Sequence, residues 1–132
     1  MRQVEIRVGD VFLVNTGGKT RYFIAIAPID GRENRFLFVS PTRLMTDKSC
    51  ILSPGPSMPD FIIQDSAICY RRAKDLNGKQ LAQIIVGDQA EPIFSFQPEE
   101  IDKIIQGGIR STTLKNKYRA LLDEWERSRW DF

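Results

Sequence analysis

The sequence predicts a mainly β, α+β fold: a small β-barrel with helices packed at its C-terminal end. Three observations carry this reading. Short apolar or β-branched runs, separated by turns rich in glycine and proline, recur through the first two thirds of the chain. After residue 96 the apolar spacing becomes helical. Strands and helices nowhere alternate often enough for a doubly wound parallel sheet. The 132 residues are 42% hydrophobic and 27% charged, enough apolar material for one core without a disulfide or metal staple. We therefore expect a single domain over 1–132, with the barrel at 8–95 and a helical extension at 96–132 packed on it.

The elements follow in order. Residues 8–14 form an apolar, β-branched strand, and 15–20 form a loop whose Gly17 and Gly18 are free to take positive φ. Residues 21–27 are nearly all apolar, which predicts a central strand ended by Pro28. The Asp30-Gly31 pair marks a hairpin connection to a third strand at 35–40. Pro41 closes that ladder, because proline has no N–H to donate. Residues 49–52 suit a short edge strand, and three prolines make 53–59 an exposed loop. One long strand bent near Asp65 is expected across 60–70. The run 81–86 is ambiguous between strand and short helix. Pro98, Glu99 and Glu100 open a helix that Gly107-Gly108 should stop. A second helix is expected from about Ser111 to Arg129, capped by Ser111 or Thr112, with Leu114, Tyr118, Leu121, Leu122 and Trp125 on one face. Trp130-Asp131-Phe132 suits an interface or a segment folded back on the barrel.

Composition excludes several chemistries. The chain has no histidine, which removes His-based acid–base catalysis, Ser-His-Asp and Cys-His triads and most zinc sites. Cys50 and Cys69 cannot make a four-ligand site and are expected as free thiols. No apolar run is long enough to span a bilayer, and the first residues lack a signal-peptide core, so a cytoplasmic protein without membrane contact is expected. Carboxylates are scattered, and no metal ligand set is expected. Gly17-Gly18-Lys19-Thr20 superficially matches the end of a P-loop, but Leu13 stands where its first glycine belongs and no helix follows.

Net charge is +2, and the sign balance is even along the chain: 8 Lys/Arg against 6 Asp/Glu in 1–60, 4 against 4 in 61–95 and 7 against 7 in 96–132. A phosphate-binding surface must therefore come from folding a few arginines onto one face. Arg21 opens the second strand and Thr42 follows the third. If the two strands pair across Asp30-Gly31, Arg21 and Ser40–Thr42 share the open end of that hairpin. A cation beside a hydroxyl suits phosphodiester recognition; it equally suits a solvated arginine near a turn threonine. Arg71, Arg72 and Lys74 are further phosphate-contact candidates, with strand alternation placing Arg71 and Arg72 on opposite faces. Tyr22, Phe23, Phe36 and Phe38 suit either base stacking or the core.

Residues 8–76 resemble the MazF/PemK-type toxins of bacterial toxin–antitoxin pairs. The matching motifs are Gly9-Asp10-Val11-Phe12-Leu13-Val14, Lys19-Thr20-Arg21, Phe38-Val39-Ser40-Pro41-Thr42 and the stretch 65–74. The resemblance implies an SH3-like barrel and an endoribonuclease that cleaves single-stranded RNA without a metal or other cofactor. It also implies a homodimer neutralised by an antitoxin protein. Carried over by position, Arg21 and Thr42 are the catalytic residues, with Ser40 as the neighbouring alternative. Lys19, Arg43, Arg71, Arg72 and Lys74 are then the RNA-binding residues. Tyr22 departs from the proline that many relatives carry after the arginine, and the 53–59 loop and the helical tail lie outside the pattern. The 2′-hydroxyl would supply the nucleophile, and Asp65 is a candidate base. The competing reading is a non-catalytic SH3-like adaptor that binds a protein partner through the rim, the proline-rich 53–59 loop and the helical tail.

Overall fold

The computed structural model describes residues 3–87 and 90–129. Its strands are β1 (Asp10–Thr16), β2 (Lys19–Pro28), β3 (Arg35–Val39), β4 (Pro41–Thr42), β5 (Ile51–Leu52), β6 (Ser66–Ile68), β7 (Lys74–Asn77) and β8 (Phe94–Ser95). Three helices, α1 (Gly78–Ile84), α2 (Pro98–Arg110) and α3 (Asn116–Arg129), complete the α+β architecture that the sequence predicts. The strands form two antiparallel sheets, ordered β7-β3-β2-β1-β8 and β4-β6-β5.

The larger sheet is buried on both faces along residues 23–27 of β2, which explains why that stretch is apolar throughout. Alternate residues point to opposite faces of a strand. Val11 of β1 and Ile24 of β2 enter one core cluster with Ile101, Ile104 and Ile105 of α2. Phe12, Val14, Phe23 and Ala25 enter a second cluster, closed by Leu81 of α1 and by Val4 and Ile6. A register shift between Ala25 and Ala27 sends both Ile26 and Ala27 to the first cluster.

Several boundaries differ from the sequence reading. The β1–β2 connection is a two-residue turn: Thr16 pairs with Lys19, and Gly17 and Gly18 take φ of 59° and 80°. Pro41 ends the β3 ladder as expected, yet it also opens β4 in the smaller sheet, where it pairs with Ile68. The long bent strand across 60–70 is reduced to β6, and β5 is an edge strand beside it. The ambiguous run at 81–86 is helical to Ile84. The deciding signal lies upstream, in a capping box: the Asn77 side chain accepts the Gln80 N–H at 2.8 Å, and Gln80 Oε1 accepts the Asn77 N–H at 2.9 Å.

Gly107 and Gly108 do not stop α2, which continues to Arg110. They are close-packing residues. A Cβ on Gly107 would lie 2.5 Å from the Tyr70 hydroxyl and 2.7 Å from Cys50 Cβ, and one on Gly108 would lie 2.7 Å from Leu122. The absence of two side chains lets α2 sit against the smaller sheet and α3. The second helix starts at Asn116 rather than at Ser111, because 111–115 fold as a separate turn. Its apolar face is as expected, with Tyr118 and Leu122 buried and Leu121 and Trp125 packed beside them. Both cysteines are free, Cys50 buried and Cys69 half-buried. Trp130, Asp131 and Phe132 lie outside the described residues.

Candidate nucleic-acid interface

Two adjoining clefts occupy the open end of the β2–β3 hairpin. They share Lys19, Arg21, Arg71 and Arg72. The first holds about 600 Å³ and is lined by six cations: Lys19, Arg21, Arg71, Arg72, Lys74 and Lys115. Ser40, Thr16 and Phe23 also line it, and no carboxylate does among the described residues. The second holds about 440 Å³ and adds Thr42, Leu44, Asp47, Cys69 and Thr113 to the shared cations.

Local structure explains the first cleft. Lys19, Arg21 and Phe23 are spaced i, i+2, i+4 on β2 and so stand on one face. Arg21 pairs across the ladder with Val14, two pairs beyond the Thr16–Lys19 pair that closes the tight turn and fixes the register. Lys74 opens β7 opposite Phe38, and its Nζ lies 5.9 Å from the centre of the Phe23 ring. Arg71 and Arg72 belong to a 3₁₀ turn over Tyr70–Arg72. That corrects the strand expectation of opposite faces: successive residues of a 3₁₀ turn are about 120° apart, so both arginines line both clefts. Among the described residues none of these six cations takes part in an ion pair.

The second cleft depends on the chain leaving the larger sheet. Strand β3 stays in the ladder up to Val39, which pairs with Ile24. The Ser40 carbonyl then accepts the Cys69 N–H at 2.8 Å, and Thr42 pairs with Ala67 in the smaller sheet. Thr42 Oγ1 accepts the Leu44 N–H at 3.2 Å, which leaves its hydroxyl proton free to donate into the cleft. Ser40 is buried and lines the neighbouring cleft instead. The two hydroxyls therefore line different clefts, both of which Arg21 also lines.

Asp47 is the carboxylate of this region. It accepts the Ser49 N–H at 3.0 Å, Ser49 Oγ at 2.5 Å, Ser111 Oγ at 2.6 Å and Thr113 Oγ1 at 2.5 Å. Burial raises its pKa, but the hydrogen bonds from Ser111, Ser49 and Thr113 together outweigh burial and hold the carboxyl at about 2. Such a group is a weak base at neutral pH. Its bonds tie the 43–50 loop to the helical tail instead.

Seven of the eight residues singled out from the sequence, Lys19, Arg21, Ser40, Thr42, Arg71, Arg72 and Lys74, line one or both clefts. Arg43 is exposed and lines neither, and Asp65, the candidate base, is likewise exposed outside both. Of the aromatic candidates for stacking, Phe23 and Phe38 are buried and Phe36 packs against the second cluster. Tyr22 stacks on Phe61 with ring centres 3.8 Å apart and planes 5° from parallel, so one of its faces is covered. Sequence reasoning missed Asp47, Thr113 and Lys115, whose approach to the site is a matter of tertiary packing alone. Among the described residues no group of three or more His, Cys, Asp or Glu stands where it could hold a metal ion, and no helix is long and apolar enough to cross a membrane.

No family model matches the chain, and no curated protein is similar to it in sequence. Among solved structures it is similar to an endoribonuclease in complex with its cognate antitoxin from a mycobacterial species. That likeness has a TM-score of 0.52 and 13% identity, over 84% of this chain and 96% of the other. At this identity the likeness is one of fold.

Proposed function

We propose that the chain is a toxin-type endoribonuclease of the MazF/PemK kind, which cleaves single-stranded RNA without a metal and is held in check by an antitoxin. The observation that carries the reading is the cleft around Arg21, with six cations and no carboxylate among its described lining residues. A surface of that kind fits a polyanion, because each phosphate bound there displaces counterions and meets no opposing carboxylate. The fold likeness to an endoribonuclease bound to its cognate antitoxin supports both the class and the kind of partner.

The chemistry follows from what RNA brings and what the cleft offers. The 2′-hydroxyl attacks the adjacent phosphorus and gives up its proton to solvent, the bond from phosphorus to the 5′-oxygen breaks, and that oxygen takes up a proton from solvent. The products are a 2′,3′-cyclic phosphate and a 5′-hydroxyl end. The protein's task is to hold the strand in line and to stabilise the charge gathering on the phosphorane. The Arg21 guanidinium does this as a fixed fork of donors charged at any physiological pH. Thr42 donates to a phosphate oxygen from the neighbouring cleft. Arg71, Arg72, Lys19 and Lys74 bind the flanking phosphates.

The test is incubation of wild type and Arg21→Ala with mixed-sequence single-stranded RNA in EDTA. Discrete cuts that require Arg21 are expected. No cutting by folded, antitoxin-free protein would overturn the reading in favour of an adaptor that binds a protein partner.

A further inference from the structure

We infer that the turn between α2 and α3 is the outer wall of the RNA cleft, and that Lys115 on this turn is a phosphate-binding residue. The inference rests on the ribonuclease reading and deepens it: the helical tail belongs to the substrate surface. One short segment reaches both clefts, Thr113 lining the one that holds Thr42 and Lys115 the one that holds Ser40.

The backbone carrying Lys115 is held from several sides. Ser111 Oγ accepts the N–H groups of Thr113 at 3.1 Å and Leu114 at 3.2 Å, closing a tight turn. Arg119 Nη2 donates to the carbonyls of Ser111 at 2.5 Å and Leu114 at 2.9 Å. The Leu114 side chain is buried in the first core cluster. The Lys115 carbonyl accepts the N–H groups of Tyr118 and Arg119, both at 3.0 Å, and so begins α3. On the other side Asp47 grips Ser111 and Thr113, and Arg110 Nη2 donates to the Ser49 carbonyl at 3.0 Å.

The Lys115 side chain makes none of these bonds. It is exposed and forms no ion pair among the described residues, facing a cleft whose other five cations come from the β2, β7 and 3₁₀ segments. A free cation on an immobilised backbone, across from five like charges, is stabilised when an anion enters between them. A phosphate chain is such an anion. Lys117 is the internal contrast: two residues further on, it lies 5.0 Å from the centre of the Tyr118 ring and lines neither cleft.

The probe is a mixed-sequence single-stranded RNA with every 2′-hydroxyl methylated, so that it binds without being cut. Its affinity is measured over a salt series for wild type, Lys115→Ala, Lys117→Ala and Arg21→Ala. Lys115→Ala should weaken binding about 3- to 10-fold near 0.1 M salt and lower the slope of log affinity against log salt by about 0.7. Lys117→Ala should leave both unchanged. If Arg21→Ala loses affinity while Lys115→Ala matches wild type, or falls only as far as Lys117→Ala, the wall assignment is wrong and the ribonuclease reading stands. If Arg21→Ala also matches wild type, the reading beneath it fails as well.

Discussion

Two clefts at the two ends of the β2–β3 hairpin carry opposite charge. At the open end the cleft around Arg21 has six cations and no carboxylate among its described lining residues. At the turn end a cleft of about 310 Å³ lies between residues 28–31 and α3, with Asp30 and Glu124 on its rim and no cation among the described lining residues. The chain's net charge of +2 conceals this separation. Local potential follows from which side chains folding gathers, so a nearly neutral protein can carry a cationic cleft and an acidic one. Hydrogen bonding differs as well. At the open end the Asp47 hub engages two hydroxyls from the helical tail. At the turn end the buried indole N–H of Trp125 has no hydrogen-bond partner among the described residues.

The largest expected effect falls at the open end. Arg21→Ala should lower cleavage about 100- to 1,000-fold, the size typical of losing a principal donor to transition-state charge. Its thermal midpoint should stay near that of wild type, since Arg21 makes no hydrogen bond or ion pair with described residues. A cleavage loss matched by unfolding would remove the contrast between the ends.

Trp125→Ala should act through stability alone. It truncates a half-buried ring packed on the first core cluster, at about 2 kcal/mol by chemical denaturation, with unchanged RNA affinity. Trp125→Phe should be nearly neutral, because it keeps most of the ring and removes a buried donor that has no partner among the described residues.

Acid titration sharpens the comparison at the Asp47 hub. Its carboxyl is held at about 2, below the ordinary 3.8, so the stabilisation is full above pH 4 and is lost as pH falls toward 2. Allowing for solvent screening, the loss is about 1 kcal/mol. Asp47→Asn should remove that part of the acid dependence between pH 4 and 2, seen by denaturation at each pH. The smallest effect is expected from Glu124→Gln at the turn end: cleavage and RNA affinity within about twofold of wild type in the assays used for Arg21→Ala. A large change there would mean that the two ends are not independent.

Particular elements show how far the sequence could be read. The apolar β2 run pointed to a central strand, and it lies in the middle of the larger sheet. The Asp30-Gly31 connection placed Arg21 near Ser40 and Thr42, and the clefts lie at that end. Local patterns carried these readings, because a strand's period and a turn's φ requirements are written in adjacent residues. Gly107 and Gly108 misled for the same reason. Their local signal is a helix stop, while their use is contact with Tyr70, Cys50 and Leu122, residues distant in sequence. Arg71 and Arg72 were assigned opposite faces on a strand period that the 3₁₀ turn replaces.

By itself the sequence determined the α+β class, the hairpin and the arginine at its open end, along with the absence of any histidine for acid–base chemistry. Tertiary structure alone decided that Thr42 would stand in a second sheet and that Asp47 would be bound to Ser111 and Thr113. It also brought Lys115 from the helical tail to the cleft of Arg21. The physical reason is separation along the chain. Asp47 meets Thr113 across 66 positions, and a contact of that span leaves no periodicity in either segment. It forms because burying the isoleucines of α2 and the packing of Leu114, Tyr118 and Leu122 bring the tail against the sheets.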